Sequence, residues 1–213
     1  MTRGLFITFE GVEGCGKTTQ IRLLAEHLRA TGRSVVLTRE PGGTPAAEAI
    51  RAILLDPAHE ELAPVTELLL YAAARAQHVH QVIRPAVSAG AVVLCDRFAD
   101  STEAYQGGGR ALSRETIEIL RSIATGGTAP DRTILLDLPA AEGLARTRKR
   151  GELDRIEGEP LAFHERVRAA FLEIAAREPQ RVAVVGAAAD VETVAGAVRV
   201  RIDALLRAQE RTA

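Results

Sequence analysis

The chain has 213 residues, of which 46% are apolar and 26% charged, with a formal net charge of −1. That length buries a substantial core unaided, and the balance is that of an ordinary globular protein. Near-zero charge excludes a global attraction to nucleic acid or an anionic lipid surface, so an anionic ligand has to be gripped by local arginines and lysines.

The first apolar run is Leu5–Glu10. It begins so early that no charged region, apolar stretch and cleavage site precede it, and we expect no secretory leader. No run approaches the roughly 20 apolar residues of a membrane span, and we expect a cytoplasmic protein. The further runs are Ser34–Thr38, Ala91–Cys95, Thr133–Leu138 and Arg181–Val185. Between them apolar residues recur at helical spacing, as in Ile21, Leu24, Ala25 and Leu28. A second such face is Leu68, Tyr71, Ala72 and Arg75, continued by Val79, Val82 and Ile83 in a helix from about Pro64 to Pro85. Continuous apolar strands alternating with helices predict a doubly wound α/β domain, with about five parallel strands covered on both faces. No repeat or linker divides it, so residues 1–213 read as one domain. Of the two cysteines, Cys15 lies in a glycine-rich segment and Cys95 ends an apolar run, a spacing that suits neither a zinc site nor a disulfide framework.

Immediately after the first run, Gly11-Val12-Glu13-Gly14-Cys15-Gly16-Lys17-Thr18 fits G-x-x-x-x-G-K-[ST] at every fixed position, and Thr19 continues into a helical pattern. Glycines let consecutive backbone N–H groups turn inward around a polyphosphate, and the helix start adds its positive dipole end. Lys17 can reach the β- and γ-phosphates, and the Thr18 hydroxyl can take a position on Mg²⁺. The motif fixes a P-loop NTPase fold and a nucleoside triphosphate, but not the reaction.

The ends of the other strands narrow the class. Val92-Val93-Leu94-Cys95-Asp96 closes on a carboxylate placed to hold Mg²⁺ through its waters, and Arg97 follows it. Asp137 is a second strand-terminal aspartate, and either could be a simple turn residue. Asp96 is preferred because Arg97 brings a cation to the same edge. Thr38-Arg39-Glu40-Pro41-Gly42-Gly43-Thr44 puts Arg39 at the carboxyl edge of the sheet, before a rigid turn. As a turn this segment could be structural. With Arg97 it supplies two guanidiniums suited to a second phosphate. The charged run Arg146–Glu159, taken alone, reads as a solvated helix end and loop.

In these motifs the chain resembles the thymidylate kinase family, from Phe6 to about Phe171. The resemblance is carried by Phe9–Thr19, Thr38–Thr44, Tyr71-Ala72-Ala73-Ala74-Arg75, Asp96-Arg97-Phe98, Ser101–Gly109 and Arg150–Glu157. It implies transfer of the γ-phosphoryl of Mg·ATP to dTMP. Arg39 and Arg97 would hold the dTMP phosphate beside Pro41, Tyr71 would stack on thymine, and Arg75 would reach the base edge. Tyr71 stands where the family usually has Phe, and core packing is its plain alternative. Ser101, Tyr105 and Gln106 would line the acceptor pocket, with Gly107-Gly108-Gly109 as a close turn beside them. The resemblance turns residues 144–159 into a lid, as in the bacterial branch of the family. Arg150 would be its catalytic arginine, with Arg146 and Arg155 supporting. Glu13 would face the acceptor sugar and phosphate in an orienting role, against the plain alternative of a solvated loop residue. A homodimer is inherited from the family in the same way, since the apolar helix face could equally be core.

A kinase acting on a phosphate oxygen needs no general base, because phosphate monoesters lose their second proton near pH ~6. A GTPase switch would carry an N-K-x-D guanine motif, which this sequence lacks. A DNA-dependent ATPase would carry a basic stripe, and a net charge of −1 offers none. A kinase of another small molecule is the nearest rival, to be separated by acceptor choice.

Overall fold

The computed structural model describes residues 3–149 and 151–212. Five strands form one parallel sheet: β1 Phe6–Glu10, β2 Val35–Arg39, β3 Val92–Asp96, β4 Arg132–Asp137 and β5 Val182–Gly186. Their order is β2-β3-β1-β4-β5, the doubly wound arrangement of a P-loop NTPase. Each predicted run falls within about a residue of an observed strand, because a strand buried on both faces has to be apolar at successive positions. Val93 and Cys95 pack with Phe6 on one face, while Val92 and Leu94 join Ile7 and Phe9 in the larger cluster on the other.

The helices are α1 Lys17–Ala30, α2 Pro45–Leu55, α3 Pro64–His78, α4 Arg84–Ser88 and α5 Ala99–Thr102. They continue with α6 Arg114–Thr125, α7 Ala140–Arg148, α8 Leu161–Arg177 and α9 Val191–Thr212. Ile21, Leu24, Ala25 and Leu28 on α1 are buried against the sheet as their spacing requires. Thr44 accepts the Ala47 N–H at 3.2 Å and Pro45 occupies the first turn, which fixes where α2 leaves the β2 loop. Among the described residues no helix is long and apolar enough to cross a membrane.

Two local readings change. The apolar face from Pro64 to Pro85 is not one regular helix, because Val79–Ile83 forms a π-helical turn between α3 and α4. Pro85 has no N–H to continue the α-helical ladder, and the widened turn relieves its ring. Gly107, Gly108 and Gly109 are not a close turn either, for they lie in a π-helical stretch Glu103–Gly109 that prolongs α5. The lack of side chains at Gly108 and Gly109 lets α8 approach: a Cβ on Gly108 would sit 2.7 Å from the Ala170 Cβ, and one on Gly109 2.4 Å from the Phe163 ring.

Candidate active site

The carboxyl ends of β1, β3 and β2 open onto one cavity of about 900 Å³. Glu13, Gly14, Gly16, Lys17, Thr18 and Thr19 line it from the phosphate loop; Arg39 and Pro41 from the β2 turn; Tyr71 and Arg75 from α3. Asp96, Arg97 and Ser101, together with Tyr105, Gln106 and Arg146, complete the predicted set that reaches it. Gly11, Val12 and Cys15 form the rear of the loop, with Val12 and Cys15 buried. Arg150 lies outside the described residues.

The phosphate loop wraps its own lysine. Lys17 Nζ donates to the Gly11 carbonyl at 3.1 Å and the Val12 carbonyl at 3.0 Å, with Cys15 Sγ at 3.5 Å. Gly14 and Gly143 meet backbone to backbone, and a Cβ on Gly143 would stand 2.2 Å from the Glu13 carbonyl oxygen. That contact seats α7 on the loop and brings Arg146 Nη1 to 3.5 Å from the Gly14 carbonyl. At the loop's exit the Thr18 hydroxyl donates to Asp96 Oδ2 at 3.0 Å. A hydroxyl and a carboxylate side by side are the oxygen ligands a hard divalent cation accepts, with water and phosphate completing its shell. Among the described residues no group of three or more His, Cys, Asp or Glu forms a protein-only cage. Asp137, the other strand-terminal aspartate, is instead gripped by Arg168 at 2.7 and 2.9 Å.

Arg97 turns the chain out of β3 with φ 72°, a left-handed conformation that a non-glycine residue keeps only when its surroundings fix it. Its Nη1 donates to the Gly11 carbonyl at 3.0 Å and to Ser101 Oγ at 3.1 Å, and Nη2 to Glu13 Oε1 at 3.0 Å. Glu13 is buried and also accepts the Tyr105 hydroxyl, while its Oε2 pairs with His164 Nδ1 at 3.1 Å. Burial alone would raise this carboxyl, but the His164 bond and the Arg97 and Lys17 charges outweigh it and bring it down to about 2. Glu13 is therefore no solvated loop residue: it is an anion that orients the guanidinium and the phenol. Glu10 sits behind them, accepting the Phe98 N–H at 2.7 Å and the Ser101 hydroxyl at 2.6 Å. Burial, then the Asp100 charge, pushes Glu10 up to about 7.

On the far wall Arg39 is 54% exposed and bonds Glu48 at 2.9 Å. Arg51 reaches the Pro41 carbonyl at 2.9 Å and lines the same wall. Burial and then the charge of Arg39 lower its pKa, the mark of two cations sharing a space fit for an anion. Glu40, buried between β2 and α3, binds Arg75 Nε at 2.7 Å and His78 Nδ1 at 2.9 Å. Arg75 also donates to Thr102 Oγ1 and the Phe98 carbonyl, at 2.8 and 3.0 Å, so its guanidinium is fixed at the cavity edge. Tyr71 is half-buried one turn earlier, part of the wall rather than of the core. In the charged segment Arg155 points away from the cavity: its Nε donates to the Leu54 carbonyl at 2.8 Å and Nη2 lies 2.6 Å from Glu67. Asp154 and Ile156, its neighbours, do line the cavity.

Arg51, His164, Glu10 and Glu40 were not singled out from the sequence. His164 follows Phe163 but precedes the charged pair Glu165-Arg166 on a helix, and Glu10 is a lone carboxylate ending an apolar strand. Only a charge within an otherwise apolar stretch hints at a buried partner.

A family model for thymidylate kinase matches residues 9–198. The chain is 58% identical over 201 residues to a thymidylate kinase of Geobacter sulfurreducens, across 92% of this chain and 94% of that one. Against the Caulobacter vibrioides thymidylate kinase it is 54% identical over 198 residues, covering 93% and 95%. Among solved structures, thymidylate kinase from Ehrlichia chaffeensis superposes with a TM-score of 0.77 at 35% identity, covering 94% of this chain and 99% of that one.

Proposed function

The chain belongs to the thymidylate kinase family, and from that premise we propose how its cavity divides between two nucleotides. The reaction moves the γ-phosphoryl of ATP to dTMP, giving ADP and dTDP for dTTP synthesis. We take residues 1–213 as one kinase domain with a lid at about 144–159, working in the cytoplasm, where its two free cysteines suit a reducing milieu.

ATP takes the phosphate loop, Gly11 to Thr19, with Lys17 on the β- and γ-phosphates and Arg146 and Arg150 closing from the lid. Thr18 and Asp96 hold Mg²⁺, which neutralises the phosphate oxygens when bound. The dTMP phosphate lies against Arg97, Arg39 and Arg51, near Pro41. Thymine stacks on Tyr71 with its edge on Arg75 and Gln106, and the deoxyribose meets Tyr105. Ser101 steadies Arg97. Glu13 acts through Arg97 and Tyr105, holding both where the acceptor phosphate and sugar arrive. The acceptor phosphate is already a dianion above its second pKa of ~6, so no residue needs to abstract a proton. What the residues supply is charge neutralisation between two polyanions and an in-line approach.

One observation carries this reading: Lys17 and Thr18 on one side, Arg97, Arg39 and Arg51 on the other, face a single cavity across neighbouring strands. Coupled assays with dTMP, dUMP, dCMP, AMP and GMP test it. We expect dTMP to have the highest kcat/KM, and any other monophosphate exceeding it overturns the assignment. We also take the enzyme to be a homodimer. The support is that α3 and α6, which pack together, expose Val65, Leu69, Ile119 and Ile123.

A further inference from the structure

Glu67 lies on α3 one turn before Tyr71 and is fully buried. An unpaired carboxylate there would be strongly unfavourable. Its oxygens are occupied from two other parts of the chain. Gln106 Nε2 donates to Oε1 at 2.8 Å, and Arg110 donates to Oε1 and Oε2 at 3.3 and 3.2 Å. Arg155 Nη2 lies 2.6 Å from Oε2. Burial would raise the carboxyl, but the Arg110 and Gln106 bonds outweigh it and keep it below the usual range.

An ionised carboxylate can only accept hydrogen bonds. Only the NH₂ end of the Gln106 amide can therefore face Glu67, and Oε1 is turned the other way. Gln106 is a wall residue of the cavity, so the wall gains an acceptor whose identity is set from behind. Arg75, on the same cavity, has no acceptor to offer and is fixed by Glu40, Thr102 and the Phe98 carbonyl. Two buried carboxylates thus stand behind one donor and one acceptor.

We propose that Glu67 is a specificity-determining positioning residue: by holding the Gln106 carbonyl oxygen toward the cavity beside Arg75, it selects an acceptor base with an N–H next to a carbonyl. This rests on the base site assigned above to Tyr71, Arg75 and Gln106. Thymine and uracil present that edge, a ring N3–H beside the O4 acceptor. Cytosine presents the reverse, an unprotonated N3 beside an amino donor. Against this wall its amino group meets guanidinium N–H, and its N3 lone pair meets the amide oxygen. A site whose polar groups are left unpaired in this way rejects the wrong ligand far more strongly than shape alone does.

The test is the ratio of kcat/KM for dTMP to that for dCMP, measured for wild type, Glu67→Gln and Arg110→Met, with Tm and ATP affinity alongside. Glutamine at 67 can donate as well as accept, so Gln106 is free to turn over. We expect the ratio to fall about tenfold or more in Glu67→Gln, mainly through the KM for dTMP, with ATP affinity unchanged. Arg110→Met removes another partner of the same carboxylate without touching the Gln106 bond. It should lower Tm yet leave the ratio within about twofold. An unchanged ratio in Glu67→Gln overturns the proposal, as does an equal fall in Arg110→Met, which would trace the effect to packing. Should Glu67→Gln not fold, Glu67→Gln with Arg155→Met removes the buried guanidinium that faces Glu67 at 2.6 Å and carries the same expectation, since Arg110 keeps its pair with Glu159. A wild-type enzyme with no preference between dTMP and dCMP removes the base-site reading itself, and the proposal with it.

Discussion

A guanidinium has enough donors to satisfy its surroundings and still keep part of its fork for a ligand, and Arg97 is placed to do both. It binds the Gly11 carbonyl, Ser101 and Glu13, so its position is set in advance for the phosphate proposed to meet it. Lysine would keep the charge but lose the fork. We expect Arg97→Lys to lower kcat/KM for dTMP by about 100-fold, with the KM for ATP nearly unchanged, as initial rates over both substrates will reveal. Glu10 gives a pH signature. Folded Glu10 gains its proton at about 7 rather than 4.5, so between those values the native state binds more protons than the unfolded chain. Raising pH through that window lowers stability. Glu13, held at about 2, acts with the opposite sign and only below 4.5, as its carboxylate is protonated. Urea unfolding at several pH values should show the wild-type advantage over Glu10→Gln shrinking as pH rises from about 5 to about 7.5; a constant difference would refute the assignment. The residues legible in advance were those whose chemistry is written contiguously: Gly11 to Thr18, Arg39, and Asp96 with Arg97. Glu67, Glu10 and His164 were not, because each takes its meaning from a partner far along the chain. Glu67 and Gln106 are joined across 39 positions and His164 and Glu13 across 151, with no periodicity to announce them.

At the scale of elements, strands were legible because burial on both faces leaves a continuous apolar run, and helix faces because their period survives in α1. The exceptions are where backbone geometry rather than side-chain pattern decides. Pro85 widens the end of α3 into a π-helical turn, and three consecutive glycines prolong a helix where α8 presses close. A glycine run signals a turn and a close approach equally, and only the neighbour separates the two. The same logic applies at Gly143, where a Cβ would overlap the Glu13 carbonyl at 2.2 Å. We expect Gly143→Ala to push α7 off the phosphate loop, lowering stability by about 1–3 kcal/mol and raising the KM for ATP more than that for dTMP. Gly196 on α9 has nothing within 4 Å of its Cβ position. Alanine there should stabilise by roughly 0.4–1 kcal/mol, leaving both KM values as they are. Thermal unfolding of the pair reads both signs, and a neutral Gly143→Ala would remove the seating role given to that contact.

For the whole molecule, the apolar side chains left open on α3 and α6 are the surface on which the proposed second copy is tested. Ile123 is 71% exposed, and a charge there would have to be buried in a dimer. We expect Ile123→Lys to give a monomer by sedimentation velocity while the isolated fold stays intact, and an unchanged sedimentation coefficient would place the interface elsewhere. The sheet itself has a further consequence. Its order puts the ends of β1, β3 and β2 side by side, with Phe9 and Arg39 both in register with Asp96. Neighbouring strands lie about 4.8 Å apart, so backbone hydrogen bonding works as a ruler: from the phosphate loop to Arg39 is two strand spacings, roughly 10 Å. The spacing between the strand that leads into the phosphate loop and the strand that ends at Arg39 is thus a lattice constant of the β-sheet. Deleting one residue from β3 would move Asp96 and Arg97 along the strand by about 3.3 Å. The Thr18–Asp96 bond and the bonds from Arg97 to Gly11 and Glu13 would part together, so one missing strand residue would undo both ends of the proposed transfer at once.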